Sequence, residues 1–282
     1  MAAKKHVRLT LALAGLCVLA SPAAFGELIG IEYDTGALWA ISETDASMTL
    51  IGDTGLYSGL GSLEYRVVDR GELYGFTCGG PADASLYSID PSTAYATEIG
   101  PLGLSFVYEG GLAFSPAGVA YAVNSGSWAT GAKLFTINLG TGAGTEVGDM
   151  GVHIDINGLA WRSDGMLVGL ERTANALVAI DPTTAAVTTV ATFPAGVVDL
   201  GALGGMAAMG DTGYFACGNV YSSIPGSNAL FSIDLYTGDY QLIGDFDPAP
   251  TGLGIGGLAV PEPGTLLLLA LAGLAAVGRR RC

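Results

Sequence analysis

Three acidic residues each stand just before a short segment of the type Gly-Gly-Leu-Ala, which recurs along the chain. They are Glu109, Asp155 and Asp199. If these segments are equivalent strands of one fold, the three carboxylates converge at one end of it. Clustered carboxylates suit a hard cation such as calcium, or the hydroxyl groups of a sugar. The alternative is an acidic rim that contacts solvent alone.

Histidine chemistry is restricted to one position. His6 lies in the first ten residues, which leaves His153 as the single histidine of the remaining chain and excludes a metal site with several histidine ligands. His153 and Asp155 form either an acid–base pair or, as we favour, a polar surface pair. There is no Gly-x-Ser-x-Gly motif and no phosphate-binding loop. The sequence does not decide whether two carboxylates form a catalytic pair of the glycosidase type, because the distance between them depends on the fold and not on their spacing in the sequence.

The composition narrows the class of protein. The 282 residues include 26 acidic and 11 basic side chains, 44 glycines and 50% hydrophobic residues. Disordered chains combine low hydrophobicity with high charge, so disorder is excluded. An acidic surface repels phosphate, which argues against a nucleic-acid partner. Abundant glycine with few charges favours a turn-rich, all-β protein.

The strands that must position these residues belong to an internal repeat. Its clearest element is Leu-x-x-Ile, which begins at Leu38, Leu86, Leu134, Leu177 and Leu230, at spacings of 48, 48, 43 and 53 residues. This period is typical of a four-stranded propeller blade. Each copy also contains a glycine-rich first strand, a second strand and a fourth strand. Asp90, Asp181 and Asp234 follow three of the Leu-x-x-Ile strands, and we expect them to form turns.

The two ends of the repeat region predict how the ring closes. The first copy supplies strands two to four alone, over residues 28–33, 37–41 and 48–51, and the missing first strand is found at residues 256–260. One blade built from both ends of the chain closes a ring and protects its edges. The sequence therefore predicts an all-β, five-bladed propeller over residues 27–260.

The ends of the chain have the composition of export signals. Lys4, Lys5 and Arg8 precede an apolar run and then small residues, which is the order of a secretory signal peptide over residues 1–26. At the other end, Pro261, Glu262 and Pro263 precede an apolar stretch that predicts a short transmembrane helix over residues 265–278. Three arginines follow this stretch, at Arg279, Arg280 and Arg281. They favour an orientation with the preceding chain outside the cytoplasm.

Residues 261–282 resemble the PEP-CTERM sorting tail of Gram-negative bacteria, with Pro-Glu-Pro, a helix and a basic cluster in that order. The resemblance implies passage through the Sec translocon and anchoring in the inner membrane. It further implies processing by an exosortase, release to the cell surface, and an association with exopolysaccharide or biofilm. The same tail is also known as the C-terminal domain of ice-binding proteins, and that name describes the tail alone.

Strand directions place both ends of the body on one face of the propeller and the irregular loops on the other. The predicted ligand face combines acidic, aromatic and amide residues. They are Glu109, Trp128, His153, Asp155, Asn157, Asp199 and Tyr221. We expect no disulfide between Cys78 and Cys217, because their predicted blades are not neighbours.

Two functions follow from these observations. The favoured one is a non-enzymatic surface or matrix protein that binds polysaccharide or another surface protein, with no cofactor. The alternative is a calcium-assisted hydrolase or lactonase. Propellers host both, so the fold does not decide between them.

Overall fold

The computed structural model describes residues 27–261, apart from residues 58, 67–70, 81–82, 105–106, 108–109, 125–130, 152–153, 195–204, 219–227 and 251–253. The twenty strands in chain order are β1 (Glu27–Glu32), β2 (Ala37–Ser42), β3 (Met48–Asp53), β4 (Leu60–Arg66), β5 (Glu72–Thr77), β6 (Ser85–Ile89), β7 (Ala96–Pro101), β8 (Gly110–Phe114), β9 (Ala120–Asn124), β10 (Ala132–Ile137), β11 (Gly144–Gly151), β12 (Ile156–Trp161), β13 (Leu167–Glu171), β14 (Ala176–Ile180), β15 (Val187–Thr192), β16 (Met206–Met209), β17 (Thr212–Gly218), β18 (Asn228–Asp234), β19 (Tyr240–Asp245) and β20 (Ile255–Ala259).

These strands form five antiparallel, four-stranded sheets, which confirms the predicted five-bladed propeller. Blade 1 has the order β20-β1-β2-β3 and therefore combines the last strand with the first three. Blades 2 to 5 each contain four consecutive strands: β4–β7, β8–β11, β12–β15 and β16–β19. The closure predicted from the two ends of the repeat region is confirmed.

The hydrophobic core lies between neighbouring blades. One cluster joins Val168 and Leu177 of blade 4 to Phe215 and Phe231 of blade 5, and four similar clusters occur around the ring. Inner strands such as β8 and β20 are buried along their whole length, whereas the outer strands expose their central residues. Burial thus decreases from the axis to the rim, as stacked sheets require.

A β-bulge recurs between the third and fourth strand of every blade. In blade 1, Leu38 faces Gly52 and Trp39 faces Leu50, so Ile51 is the extra residue. The same shift follows the leucine of each Leu-x-x-Ile segment in the other four blades. Bulges bend a strand and increase its twist. Here the residue that follows the extra one, such as Gly52 in blade 1, contacts the third-to-fourth turn of the next blade.

The propeller has two faces that differ in their loops. We call the face where the inner strands begin the entry face; it carries the fourth-to-first and second-to-third connections. The opposite, exit face carries the first-to-second and third-to-fourth turns. Glu27 faces Ser42 and Ala259 faces Ile29, so both ends of the described chain lie on the exit face.

All regular structure in the described residues is β-strand. Within them, no helix has the length and apolarity that crossing a membrane requires. The predicted signal peptide and the predicted helix over residues 265–278 lie outside the described part of the chain.

Candidate functional site

Glycine is required on the inner strands because neighbouring backbones approach closely at the axis. A Cβ on Gly205 would lie 2.2 Å from the Leu258 nitrogen, and one on Gly111 would lie 2.3 Å from the Leu159 nitrogen. Atoms at these distances overlap, so larger residues would push the blades apart. The glycine-rich first strands of the sequence are therefore a consequence of ring closure.

The inner strands of the five blades enclose a small space at the axis that does not admit a water molecule. Each blade contributes a leucine or a methionine to its lining, beside glycines and Ser62. The five apolar residues are Leu63, Leu112, Leu159, Met206 and Leu258. At this level, the described residues therefore leave no room for a ligand on the axis.

Near the entry face, the inner strands of blades 2 and 4 have a polar residue where the blade between them has glycine. Ser62 faces Phe76, Asn157 faces Leu170, and Gly111 faces Val123 at the equivalent position of the blade between them. Ser62 is 2% exposed and Asn157 is 4% exposed. Within the described structure, the Ser62 hydroxyl and both polar atoms of the Asn157 amide have no hydrogen-bond partner. Buried polar groups are nearly always paired, which makes this level of the ring chemically distinctive.

Asp155 lies at the entry face in an ion pair. Its Oδ2 is 3.1 Å from Nε of Arg172, and its carbonyl accepts a hydrogen bond from the Arg172 backbone N–H at 2.8 Å. The Asp155 backbone N–H donates in turn to Oε1 of Glu171 at 3.2 Å. The charge of Asp155 is thus balanced by Arg172. Among the described residues, no group of three or more His, Cys, Asp or Glu side chains could hold a metal ion.

A ring of buried residues lies at the entry face, where the second strands end. The equivalent residues in the five blades are Glu32, Thr77, Asn124, Glu171 and Cys217. Glu171 accepts backbone hydrogen bonds from Thr173 and Ala174, and Asn124 accepts one from Lys133. Sequence reasoning missed this set, although aligning the second strands of the repeat would have revealed it. Glu171 and Asn124 thereby supply acceptors for backbone N–H groups of the chain that follows their strands.

The repeated aspartates are turn formers, as predicted. Oδ1 of Asp90 accepts the Ser92 backbone N–H at 2.8 Å, and Oδ1 of Asp181 accepts that of Thr183 at 2.7 Å. Asp234 accepts the Tyr236 N–H at 2.8 Å. Hydrogen bonds within each turn hold the pKa of these carboxyls below their ordinary value, chiefly those from the Ser92 hydroxyl to Asp90, the Thr183 hydroxyl to Asp181 and the Thr237 backbone N–H to Asp234. All three turns lie on the exit face, away from the predicted ligand face.

Of the predicted ligand residues, the structure describes Asp155 and Asn157, and it places both at the start of blade 4. The others lie outside the described residues. They are Glu109, Trp128, His153, Asp199 and Tyr221. In the sorting tail, Pro261 is described, whereas Glu262, Pro263, Arg279, Arg280 and Arg281 are not. Cys78 and Cys217, in blades 2 and 5, are not joined by a disulfide.

These observations define an all-β, five-bladed propeller whose ring is closed by its last strand. Residues 259–281 match the PEP-CTERM protein-sorting motif, so this motif begins at the end of the closing strand β20. The motif implies a membrane-anchored precursor, processing by an exosortase and export to the cell surface. No curated protein matches the chain with significant sequence similarity.

Solved structures resemble the fold at low sequence identity. One chain of a nidogen/laminin complex is 11% identical with a TM-score of 0.49, over 83% of this chain and 97% of that chain. The PQQ-bound aldose sugar dehydrogenase of Streptomyces coelicolor is 15% identical with a TM-score of 0.49, over 77% and 78%.

A structural genomics protein of unknown function from Bacteroides thetaiotaomicron is 15% identical with a TM-score of 0.52. The match covers 79% of this chain and 56% of that protein, so this chain spans little more than half of its length. At this identity the likeness concerns the fold alone.

Proposed function

We propose that the protein is a non-enzymatic surface propeller that binds extracellular polysaccharide or another surface protein through its entry face. The observation that carries the proposal is the position of the sorting motif, which follows the closing strand on the exit face. A body held by that tail turns its exit face to the membrane and its entry face outward. After passage through the Sec translocon, the inner membrane anchors the precursor until an exosortase releases it to the surface or matrix.

Charge and hydrogen-bonding groups support a polar ligand. Residues 27–260 contain 25 acidic and five basic side chains, a net charge of −20, which disfavours other polyanions and nucleic acids as partners. The entry face offers the half-exposed Arg172 paired with Asp155. Such a pair can donate to and accept from the hydroxyl groups of a neutral sugar. A role in exopolysaccharide or biofilm organisation is consistent with this chemistry.

The binding test compares the two faces of the mature protein on a glycan array. Tyr57 lies on the entry face and is 69% exposed, whereas Tyr95 lies on the exit face and is 72% exposed. Each is replaced by cysteine in a Cys78→Ser background and coupled to a bulky polyethylene glycol maleimide. We expect modification at Tyr57→Cys to abolish glycan binding and modification at Tyr95→Cys to leave it unchanged.

Each array is run with calcium and with a chelator, which tests separately whether glycan binding depends on calcium. Equal loss of binding at both positions would place the binding surface elsewhere. Absence of binding on every array would contradict the polysaccharide ligand and leave the surface-protein partner to be sought by cross-linking in cells.

A further inference from the structure

One tyrosine of the entry face is held in place by its own loop and is nevertheless largely exposed. Tyr57 is 69% exposed, and its hydroxyl donates a hydrogen bond to Oδ2 of Asp53 at 3.2 Å. Oδ1 of the same carboxylate accepts the Gly55 backbone N–H at 2.8 Å. Asp53 therefore fixes both the turn of the loop and the aromatic side chain that the loop presents to solvent.

The loop that carries Tyr57 is also fixed to the body of the propeller. The buried Thr54 hydroxyl donates to the Gly36 carbonyl at 2.8 Å, and the Leu56 N–H donates to Oγ1 of Thr54 at 3.3 Å. Leu56 packs against the core cluster between blades 1 and 2. Because this loop is already ordered, a ligand that binds to it would not have to supply the free energy of ordering it.

A second tyrosine lies beside this loop and closer to the axis. The ring of the half-buried Tyr33 packs against Gly59, since a Cβ on Gly59 would lie 2.5 Å from Cζ of Tyr33. A Cβ on Gly256, in the inner strand β20, would lie 3.1 Å from Cδ2 of the same ring. Aromatic rings thus occur on two adjacent loops of the entry face, from the outer strand of blade 1 toward its inner strand. We call Tyr33, Asp53 and Tyr57 the tyrosine site.

The charge around the tyrosine site disfavours an anionic ligand. Residues 27–59 contain six acidic side chains and no lysine, arginine or histidine. A uronic, sulfated or phosphorylated sugar would place a further negative charge beside Asp53, which costs free energy.

A neutral sugar matches the groups that the site offers. An aromatic ring can pack against the apolar C–H face of a pyranose. Each oxygen of Asp53 accepts one hydrogen bond within the loop and has a further lone pair for a sugar hydroxyl. The Tyr57 hydroxyl donates to Asp53, so its oxygen is also left to accept.

We propose that the tyrosine site is a binding subsite for a neutral polysaccharide. Tyr57 stacks on a pyranose ring, Asp53 accepts hydrogen bonds from its hydroxyl groups, and Tyr33 extends the aromatic contact toward the axis. This inference rests on the proposed function and specifies it further. It assigns neutral polysaccharide as the ligand class and the blade 1 part of the entry face as the place of binding.

The ligand class is tested with the mature protein by affinity electrophoresis. Native gels contain hydroxyethyl cellulose, dextran, mannan or alginate, of which the first three are neutral and alginate is a polyuronate. We expect at least one neutral polymer to retard the protein and alginate to have no effect. Retardation by alginate that equals or exceeds that by the neutral polymers would overturn the proposal, as would the absence of retardation in every gel.

The site is tested on the neutral polymer that binds best. We expect Tyr57→Ala to weaken binding about tenfold, because the aromatic contact is lost. Tyr57→Trp keeps an aromatic ring and should retain binding. The matched control is Tyr95→Ala on the exit face, which removes a tyrosine that is 72% exposed and should bind like the wild type.

The role of the carboxylate has its own control in blade 3. Oδ1 of Asp149 accepts the Gly151 N–H at 2.7 Å, in the same turn that Asp53 forms with Gly55. Asp53→Asn should weaken binding about fivefold, because hydrogen bonds to a charged acceptor are the stronger ones. Asp149→Asn removes the same charge from an equivalent turn and should leave binding unchanged.

The outcomes separate this inference from the function on which it rests. If the wild type is retarded by no polysaccharide, the polysaccharide ligand of the proposed function is wrong and the inference falls with it. If the wild type binds and Tyr57→Ala binds equally well, the proposed function stands and the tyrosine site alone is wrong. Equal losses in Asp53→Asn and Asp149→Asn would overturn the role of Asp53. On the glycan array, Tyr57→Cys should already bind more weakly than Tyr95→Cys before either is coupled to the polymer.

Discussion

In each blade, a side-chain oxygen of one residue accepts a backbone N–H and so stabilises the third-to-fourth turn on the exit face. Blades 2, 4 and 5 use an aspartate, and blade 3 uses Asn138, whose Oδ1 accepts the Gly140 N–H at 2.9 Å. Blade 1 uses the hydroxyl of Ser42, which accepts the Thr44 N–H at 3.3 Å. The natural repeat therefore contains charged and neutral versions of one turn. The acceptor is the shared requirement, and the charge is not.

Asp181 provides a test of this requirement. We expect Asp181→Ala to lower the thermal unfolding midpoint at neutral pH, because the Thr183 N–H loses its acceptor. Asp181→Asn should unfold close to the wild type, since Asn138 performs the same role in blade 3. Thermal unfolding followed by circular dichroism measures both. An equal loss in the two variants would show that charge, rather than the acceptor, stabilises the turn.

The pH dependence of the same variants has a definite sign. The hydrogen bonds of Thr183, first from its hydroxyl and then from its backbone N–H, hold the pKa of Asp181 below its ordinary value. A lowered pKa contributes stability that is present above the unfolded-state value, about 3.9. That contribution is lost as the pH falls through the folded-state value. The wild type should therefore lose stability more steeply than Asp181→Asn as the pH falls from roughly 5 to 3, the range around the unfolded-state pKa.

Residue types and spacing were sufficient to predict the turn aspartates, because an Asx turn is local. The link between Asp155, Arg172 and Glu171 was not predictable in this way. It joins two loops whose proximity depends on where β12 begins and β13 ends. Ser62 stands where all four other blades have glycine in the aligned repeat, so its position was visible although its burial was not.

At the scale of elements, the blades are joined by five equivalent contacts between an outer strand and the third-to-fourth turn of the next blade. Each contact pairs two small residues, of which at least one is glycine. The pairs are Gly52 with Ala94, Gly100 with Gly142, Gly148 with Ala185, Ala191 with Gly238, and Gly244 with Ala46. The turn residue has a positive φ in every pair, between 60° and 81°. Each contact therefore has room for one methyl group at most, on either side.

Exchanging the two members of one contact tests this rule. In Gly148→Ala, the new Cβ would lie 2.8 Å from the Thr184 carbonyl oxygen and 3.1 Å from Cβ of Ala185. We expect this variant to lower the free energy of unfolding by about 1–3 kcal/mol, as overpacked cores do. The double variant Gly148→Ala/Ala185→Gly reproduces the arrangement of Ala191 with Gly238. It should recover at least about 0.5 kcal/mol, the coupling expected of residues in contact.

The control combines Gly148→Ala with Ala94→Gly. The second change removes the methyl group from the turn of a different contact, that between Gly52 and Ala94. This double variant should show no recovery, because distant sites contribute additively. Urea unfolding measures all of these variants. Equal recovery with Ala94→Gly and with Ala185→Gly would show that the glycine acts through the turn itself and not through the contact between blades.

The twenty strands could be predicted because one pattern is repeated five times and the incomplete first copy is completed at the end of the chain. The bulges could not, because one extra residue such as Ile51 leaves the number and the type of strands unchanged. The pairing of small residues between blades was equally hidden, since it joins residues of different copies of the repeat, which are 37 to 47 positions apart in four contacts and 198 positions apart in the fifth.

For the whole molecule, charge and topology assign different environments to different regions. The body holds a net charge of −20, whereas six of the 11 basic residues lie in the two terminal segments. Both ends of the body reach the exit face. The charge separation was predictable by counting, and the common face of the two ends followed from strand direction. The chemistry of the entry face was not predictable, because the loop sequences there differ in every blade.

The orientation of the anchored precursor is the last prediction and depends on the whole molecule. Tyr57→Cys on the entry face and Tyr95→Cys on the exit face replace side chains of similar exposure, 69% and 72%, in a Cys78→Ser background. A bulky maleimide reagent that does not cross membranes is added to spheroplasts that hold the precursor. We expect rapid labelling at Tyr57→Cys and slow labelling at Tyr95→Cys, because no spacer separates β20 from the sorting motif.

The purified, processed protein provides the matched control, in which both cysteines should react at equal rates since neither face is then covered. A difference that persists after processing would arise from local structure around each cysteine and would carry no information on orientation. Faster labelling at Tyr95→Cys in the precursor would reverse the assignment of the two faces. The exit face is fixed by the direction of β1 and β20. Such a result would therefore mean that the tail folds back past the rim. The outward face would then present the turns of the repeat rather than its variable loops.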